Sequence, residues 1–440
     1  MKQKISIIII IIQFSILNSQ FCPAQTIDLQ TCITKGLENN FAIKLVRNSQ
    51  RVSDNNFSAG NAGMLPTLDL NASYAGTLND IDQFPADGNE KIANKGVNNT
   101  GLDVGLSLNW TVFDGFKMFA AYDKLKELQQ KGELNTRLSI ENFVANVSAE
   151  YYNFVRQNIR LDNLKSAVRL SKERLRIVEA RYNIGSMSRL DLQQAKVDFN
   201  ADSSKLILQK ETLFTSRVKL NQLMAETDVE QERAPADSVI NFNSLFEKNA
   251  IWNDVLQQNT TLLLSEKDRT ISVKDLRAAQ SGNYPYLKLS AGYGYTDNRY
   301  ENSAYRQQNT LGMKYGVTLG FNLFDGFNRL REQRNARIAV ENREIELEEL
   351  RLALQSDFAN IWMAYRNNME LVSLERENLN SAIENYDIAI ERYKLGDLSG
   401  IELREAQNSL LEAEERLLQA QYNTKLCEIS LLQISGTLVK

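Results

Sequence analysis

Glu402 and Glu405 stand three residues apart, a spacing that sets both carboxylates on one face of a helix. Ser399-x-x-Glu402 also repeats the form of Ser188-x-x-Asp191, a hydroxyl three residues ahead of a carboxylate, which is the pattern of a capping box at a helix start. Each pair follows an Arg-Tyr-x-x-Gly run, Arg181-Tyr182-Asn-Ile-Gly185 and Arg392-Tyr393-Lys-Leu-Gly396, whose glycines fall where a helix ends in a left-handed cap. Met187 and Leu398 lie inside the two turns. Carboxylates and tyrosines in such places can attract cations, accept hydrogen bonds and pack. The 440 residues contain no histidine, which removes the usual general base, the triads built on it and the commonest metal ligand. Cys32 and Cys427 are far apart and indicate neither a disulfide framework nor a zinc site. The expected chemistry is electrostatic, with no enzyme activity, no cofactor and no metal.

The elements that must hold these turns are duplicated. Trp110-Thr-Val-Phe-Asp114-Gly115-Phe116 returns as Phe321-Asn-Leu-Phe-Asp325-Gly326-Phe327, displaced by 211 positions, and the two Arg-Tyr-x-x-Gly runs share that displacement. The residues between align without a gap, as expected where one inserted residue would rotate a long helix out of register. From Gly115 to Tyr182 and from Gly326 to Tyr393 there is no proline, and apolar residues recur at helical spacing among charges. At 1.5 Å per residue, some 68 residues extend about 100 Å. Return helices are expected over 188–226 and 399–435, and further helices over 27–62 and 244–281. The domain organisation follows: a signal segment 1–24, a first repeat 25–226, a linker 227–243 carrying Pro235 and clustered acids, and a second repeat 244–440.

Four segments alternate with period two. Positions 102 to 112 are apolar at every even number and polar or glycine at the odd ones, and Met313, Tyr315, Val317, Leu319, Phe321 and Leu323 do the same. Leu68, Leu70, Ala72 and Tyr74, and Leu287, Leu289, Ala291, Tyr293 and Tyr295, alternate more weakly. One face suits lipid and the other water, the pattern of strands that cross a bilayer; a soluble sandwich with one buried face alternates in the same way. Polar loops, 77–100 and 297–310, join the strand pairs. Four strands cannot close a barrel, and an open edge does not persist in lipid, so the membrane reading requires several copies of the chain.

Lys2 and Lys4 precede an apolar run from Ile5 to Ile16 and then Cys22-Pro23-Ala24, the form of a secretory signal cleaved after Ala24; Cys22 is an alternative lipid-anchor site. Losing the two lysines takes the net charge from −4 to −6, which disfavours nucleic acid as a partner. After the signal no apolar stretch approaches the roughly 18 residues of a transmembrane helix, so membrane passage falls to strands.

Taken together, the Phe-Asp-Gly of each half, Leu65-Pro66 and Tyr284-Pro285 at the strand entries, and the Arg-Tyr-x-x-Gly turns followed by Asp191-Leu192 and Glu402-Leu403 resemble the TolC family of outer membrane efflux channels across essentially the whole mature chain. The resemblance implies a homotrimer, with a twelve-stranded β-barrel in outer membrane lipid standing on a twelve-helix periplasmic α-barrel. It also implies a periplasmic adaptor and an inner membrane transporter as partners. Asp191 and Tyr393 then match a periplasmic gate, with Tyr182 beside them, and Glu402 and Glu405 match an acidic ring at the tunnel entrance. Gly185, Met187, Ser188, Gly396, Leu398 and Ser399 become the tip turns that meet the adaptor. Leu398 occupies the position of the arginine that pairs with the gate aspartate in the family; Arg189 or Arg404 is the available substitute for pairing with a neighbour's Asp191. The function implied is a passive export duct. The competing class is a secreted, adhesin-like coiled-coil protein with a soluble β domain.

Overall fold

The computed structural model describes residues 25–84, 86, 88 and 90–439. The expected signal segment, with Cys22, lies outside them. In chain order the elements are β1 (Gln25–Ile27), α1 (Leu29–Asn39), α2 (Phe41–Asn56), β2 (Thr67–Gln83), β3 (Ile92–Asp114), α3 (Lys117–Asn183), α4 (Arg189–Leu223), β4 (Arg233–Pro235), α5 (Lys248–Gln258), α6 (Thr260–Gln280), β5 (Tyr286–Arg299), β6 (Gln307–Gly320), α7 (Asn328–Leu395) and α8 (Gly400–Ile434). The chain divides into two compact units, and neither coincides with a sequence repeat. One comprises 48–135 and 262–350, the other 25–47, 136–261 and 351–439, so each takes segments from both halves. Among the described residues no helix is long and apolar enough to cross a membrane.

The first of these units holds a four-stranded antiparallel sheet in the order β2-β3-β5-β6. The two hairpins join at its centre, where Val104 pairs with Tyr295 and Leu106 with Tyr293. β2 and β3 continue well past the expected loop boundary at Thr77, pairing through Gln83 and Ile92 across a register shift at Asn79. Polar residues there keep the backbone ladder although the apolar alternation has lapsed. β6 stops at Gly320, short of Phe321 and Leu323, which the alternation had included. Gly320 pairs with Tyr286, the first residue of β5, and Pro285 before it has no N–H to extend the ladder.

Both Phe-Asp-Gly-Phe motifs form the corner between a strand and a long helix. Gly115 and Phe116 adopt φ of 73° and 73°, and Gly326 and Phe327 adopt 71° and 64°. A side chain on Gly115 would meet the Ser281 carbonyl oxygen at 2.3 Å. Asp114 accepts the Met118 N–H at 3.0 Å and Asp325 the Arg329 N–H at 2.9 Å, so each aspartate satisfies an orphan donor of the helix that follows. Phe116, in a conformation unusual for an aromatic residue, packs edge-on against Phe113 and Tyr284. Between α3 and α6, Lys124 pairs with Asp275 and Lys274 with Asp123, at 2.6 and 2.7 Å.

In the other unit, α3 and α7 continue toward the turns that carry the candidate site. The single helices expected over 27–62 and 244–281 are each broken once, at Asn40 and Asn259, where ψ swings to 128° and 116°. The breaks are used. Asn40 donates through its amide to the Leu223 carbonyl at 3.0 Å and Asn259 to the Ile434 carbonyl at 2.8 Å, the last residues of α4 and α8. The linker is pinned as well, although it lacks any periodicity: β4 pairs in parallel with β1, and Tyr151 donates to Asp237 at 2.8 Å. Tyr151, Phe154, Leu220 and Met224 form the buried core beneath it.

Candidate functional site at the hairpin turns

α3 and α7 end alike. Gly185 and Gly396 take φ of 79° and 91°, and the N–H of Ser186 returns to the Arg181 carbonyl at 2.9 Å as that of Asp397 does to Arg392 at 3.0 Å. These are Schellman closures, which require the left-handed residue that glycine supplies without steric cost. The return helices also start alike. The Ser188 hydroxyl accepts the Asp191 N–H at 3.1 Å while the Asp191 carboxylate accepts the Ser188 N–H at 3.2 Å; Ser399 and Glu402 reciprocate at 3.3 and 2.9 Å. Bonds from the Ser399 hydroxyl and backbone N–H hold the Glu402 carboxyl below the usual carboxylate range. Both Asp191 and Glu402 therefore spend their carboxylates on caps. Glu405, one turn further, is exposed.

The two turns differ in what they dock against. Tyr393 is fully buried in a cluster with Val178, Leu192, Tyr386 and Leu403, and burial raises its phenol pKa. Its hydroxyl has no hydrogen-bond partner among the described residues. Tyr182, its counterpart, is 38% exposed. The Arg181 guanidinium lies 5.3 Å from the centre of the Tyr393 ring and donates to the carbonyls of Tyr393 and Lys394 at 3.1 and 3.0 Å, closing the orphan end of the other long helix. Arg392 instead donates to the carbonyl of Asp397 in its own turn, at 3.5 Å. Met187 and Leu398 are half-buried against the same apolar cluster.

Above the turns lies a buried polar network that the sequence reading missed. Arg404 binds both carboxylate oxygens of Asp202 within its own chain, at 2.6 and 2.8 Å. Ser171 donates to Asp202, and Gln407 to Ser171 at 3.1 Å. Arg174 pairs with Asp198, which also accepts from Gln194 at 3.1 Å. Asp202 is 1% exposed and Arg174 4%. Burial alone would raise the Asp202 carboxyl, yet hydrogen bonds from Arg404 and Ser171 and the charge of Arg404 together hold it below its ordinary value. A signal was present: Leu192, Ala195, Asp198 and Asp202 share helical spacing, so two acids continue an apolar stripe. Together Arg174, Met187, Asp191, Asp198, Tyr393 and Glu405 line much of a cleft of about 410 Å³.

Each tip also exposes two large apolar side chains, Ile184 and Leu190 on the first, Leu395 and Ile401 on the second, all between 77% and 79% exposed.

The sequence pattern of the outer membrane efflux protein family matches residues 32–226 and 251–437. The chain is 20% identical over 390 residues to the outer membrane protein TolC of Vibrio cholerae, covering 87% of this chain and 84% of that one. It is 20% identical over 432 residues to the outer membrane efflux protein BepC of Brucella suis, covering 97% and 89%. In three dimensions it is similar to the outer membrane channel CmeC of Campylobacter jejuni, with a TM-score of 0.77 at 16% identity over 94% of this chain and 86% of that one. It is likewise similar to CusC, with a TM-score of 0.77 at 16% identity over 95% of each.

Proposed function

We propose, from the premise that this chain belongs to the outer membrane efflux protein family and resides in the outer membrane, that it is a passive trans-periplasmic duct. In this reading three copies form a twelve-stranded barrel on a twelve-helix tunnel. The observation that carries the reading is the sheet β2-β3-β5-β6, amphipathic along its strands, with β2 and β6 unpaired on their outer sides among the described residues. Such edges need closure in lipid, and copies of the same chain provide it.

The tips then stand at the tunnel entrance. Tyr393 and Asp191 act in closure through packing and capping, with Tyr182 at the exposed counterpart position. A periplasmic adaptor covers Ile184, Leu190, Leu395 and Ile401, and an inner membrane pump supplies the energy. The chain itself catalyses nothing. With Glu402 held in its cap, Glu405 contributes the freer carboxylate to the entrance field, where three copies would gather acidic groups within a narrow pore.

The test combines mass and conductance on the detergent-purified protein. A trimeric mass and cation-selective channels in planar bilayers are expected, with Glu405→Gln lowering the selectivity at low salt. A monomeric or dimeric folded species that conducts nothing would overturn the reading.

A further inference from the structure

Each long helix carries a row of charge on the side turned away from the sister hairpin. On α3, Lys165, Arg169, Lys172 and Arg176 are exposed and helically spaced, while Ala167, Ser171, Arg174 and Val178 on the opposite side are buried. Asp162 and Glu173 pair with Lys165 and Arg176 along the helix at 2.9 and 2.6 Å, but Arg169 and Lys172 make no ion pair among the described residues. On α7, Glu377, Glu384, Asp387 and Glu391 are exposed and form no ion pair among the described residues, with Val372, Tyr386, Ala389 and Tyr393 buried behind them. Glu179 flanks the first row and Arg376 the second.

The rows match in height. Lys165 and Glu377 each stand 18 residues before the end of their helix, and Lys172 and Glu384 each stand 11 before it. The helix ends are level, because Arg181 near the end of α3 caps the end of α7. Only one position of each row keeps its sign across the duplication, Lys165 with Arg376 and Glu384 with Glu173, while Glu377, Asp387 and Glu391 answer to Ser166, Arg176 and Ala180. At the shared displacement of 211, Lys165, Arg169, Lys172 and Arg176 correspond to Arg376, Asn380, Ile383 and Asp387.

We propose that the two rows meet between copies: the basic row on α3 of one protomer docks against the acidic row on α7 of the next. The inference rests on the ring-forming reading above and names its contact. A second copy fits better than a partner of other chemistry because both complementary faces, at one height, belong to this chain. Two helices running toward their turns in parallel bring Lys165 to Glu377 and Lys172 to Glu384. Because the rows lie on different hairpins, the contact is head-to-tail, the kind that closes a ring when the rotation allows. A two-fold contact of α3 on α3 would set like charges together, and such repulsion suppresses wrong pairings.

The experiment uses the full-length protein with Arg176 replaced by a photoreactive phenylalanine, irradiated in membranes and analysed by peptide mass spectrometry. Adducts between chains that map to residues 377–391 are expected. Their yield should fall several-fold in Arg169→Glu/Lys172→Glu and recover when Glu384→Lys/Asp387→Lys is added, since the swap restores opposite signs even if the first variant alone assembles poorly. The yield should also fall at 1 M salt, where the screening length is about 3 Å. Adducts only to another part of the neighbouring copy, or only to a different protein, overturn the proposal while leaving a trimeric channel intact. Reversal without loss, or without recovery in the swap, overturns it as well. A monomeric mass for the unaltered protein would instead remove the ring itself, and with it the proposed function.

Discussion

The two hairpin tips are the same object at the level of the backbone and different objects at the level of the side chains. Both close with a glycine in the left-handed region and reopen with a serine and a carboxylate in a reciprocal cap. Yet the network of Ser171, Arg174, Asp198 and Asp202 has no equivalent in the second repeat, where the same positions carry Ala382, Asn385, Ser409 and Ala413. The buried tyrosine belongs to the second tip and its exposed counterpart to the first. The difference teaches that chain reversal is set by local physics that every copy must satisfy, whereas the side chains packed around it were free to diverge between the copies.

The largest test of this contrast removes one partner from the asymmetric network. Asp202→Ala leaves Arg404 buried without its carboxylate and should cost roughly 3–5 kcal/mol of local stability, read by hydrogen exchange in α8 or by the thermal midpoint. Asp202→Ala/Arg404→Leu should recover most of the loss, since a well-packed apolar pair does not carry the uncompensated charge. The same pair sets a pH dependence. The Asp202 carboxyl is depressed in the folded chain, so its contribution is complete above its unfolded value of about 4 and fades as pH falls through the lower folded value. Acid should therefore loosen the first tip, and the double variant should lack that component.

A smaller effect separates the tyrosines. Tyr393→Phe removes a buried hydroxyl that has no partner among the described residues, and should be neutral or should relieve part of a desolvation penalty of about 1–3 kcal/mol, whereas Tyr182→Phe should stay within about 0.5 kcal/mol. Unequal thermal shifts for the two variants sharpen the comparison; a loss at Tyr393 would mean that its hydroxyl finds a partner in the assembled protein. The smallest effect tests the symmetric part. Ser188→Ala and Ser399→Ala should each cost about 1 kcal/mol of helix-start stability, in equal measure, by denaturant unfolding of the purified protein. A much larger loss at one of them would show that its cap does more than start a helix.

The sequence displayed whatever repeats or alternates. The absence of proline from the long helices and the 211-residue displacement led to α3 and α7 with ends correct to a few residues, and the period-two alternation led to the four strands but not to the outer ends of β2 and β3, where polar residues extend the ladder. What it concealed depends on partners distant in the chain. Asn40 and Asn259 look like ordinary helix-interior polar residues until the Leu223 and Ile434 carbonyls are seen to need donors. The Asp202–Arg404 pair spans half the chain, and only the intrusion of two acids into an apolar stripe announced it. β1 and β4 are three residues each, too short for any periodicity to register. The end of β6 at Gly320 was set by the proline that precedes the neighbouring strand, which no reading of β6 alone contains.

The interleaving of the two halves has a consequence for biogenesis. Val104 must wait for Tyr295, 191 residues later, before the central seam of the sheet can form. Until the second half of the polypeptide has been delivered, the first hairpin carries an unsatisfied amphipathic edge, a high-contact-order intermediate exposed to aggregation. Export across the inner membrane proceeds from the N-terminus, so this vulnerable species is an obligatory stage of maturation.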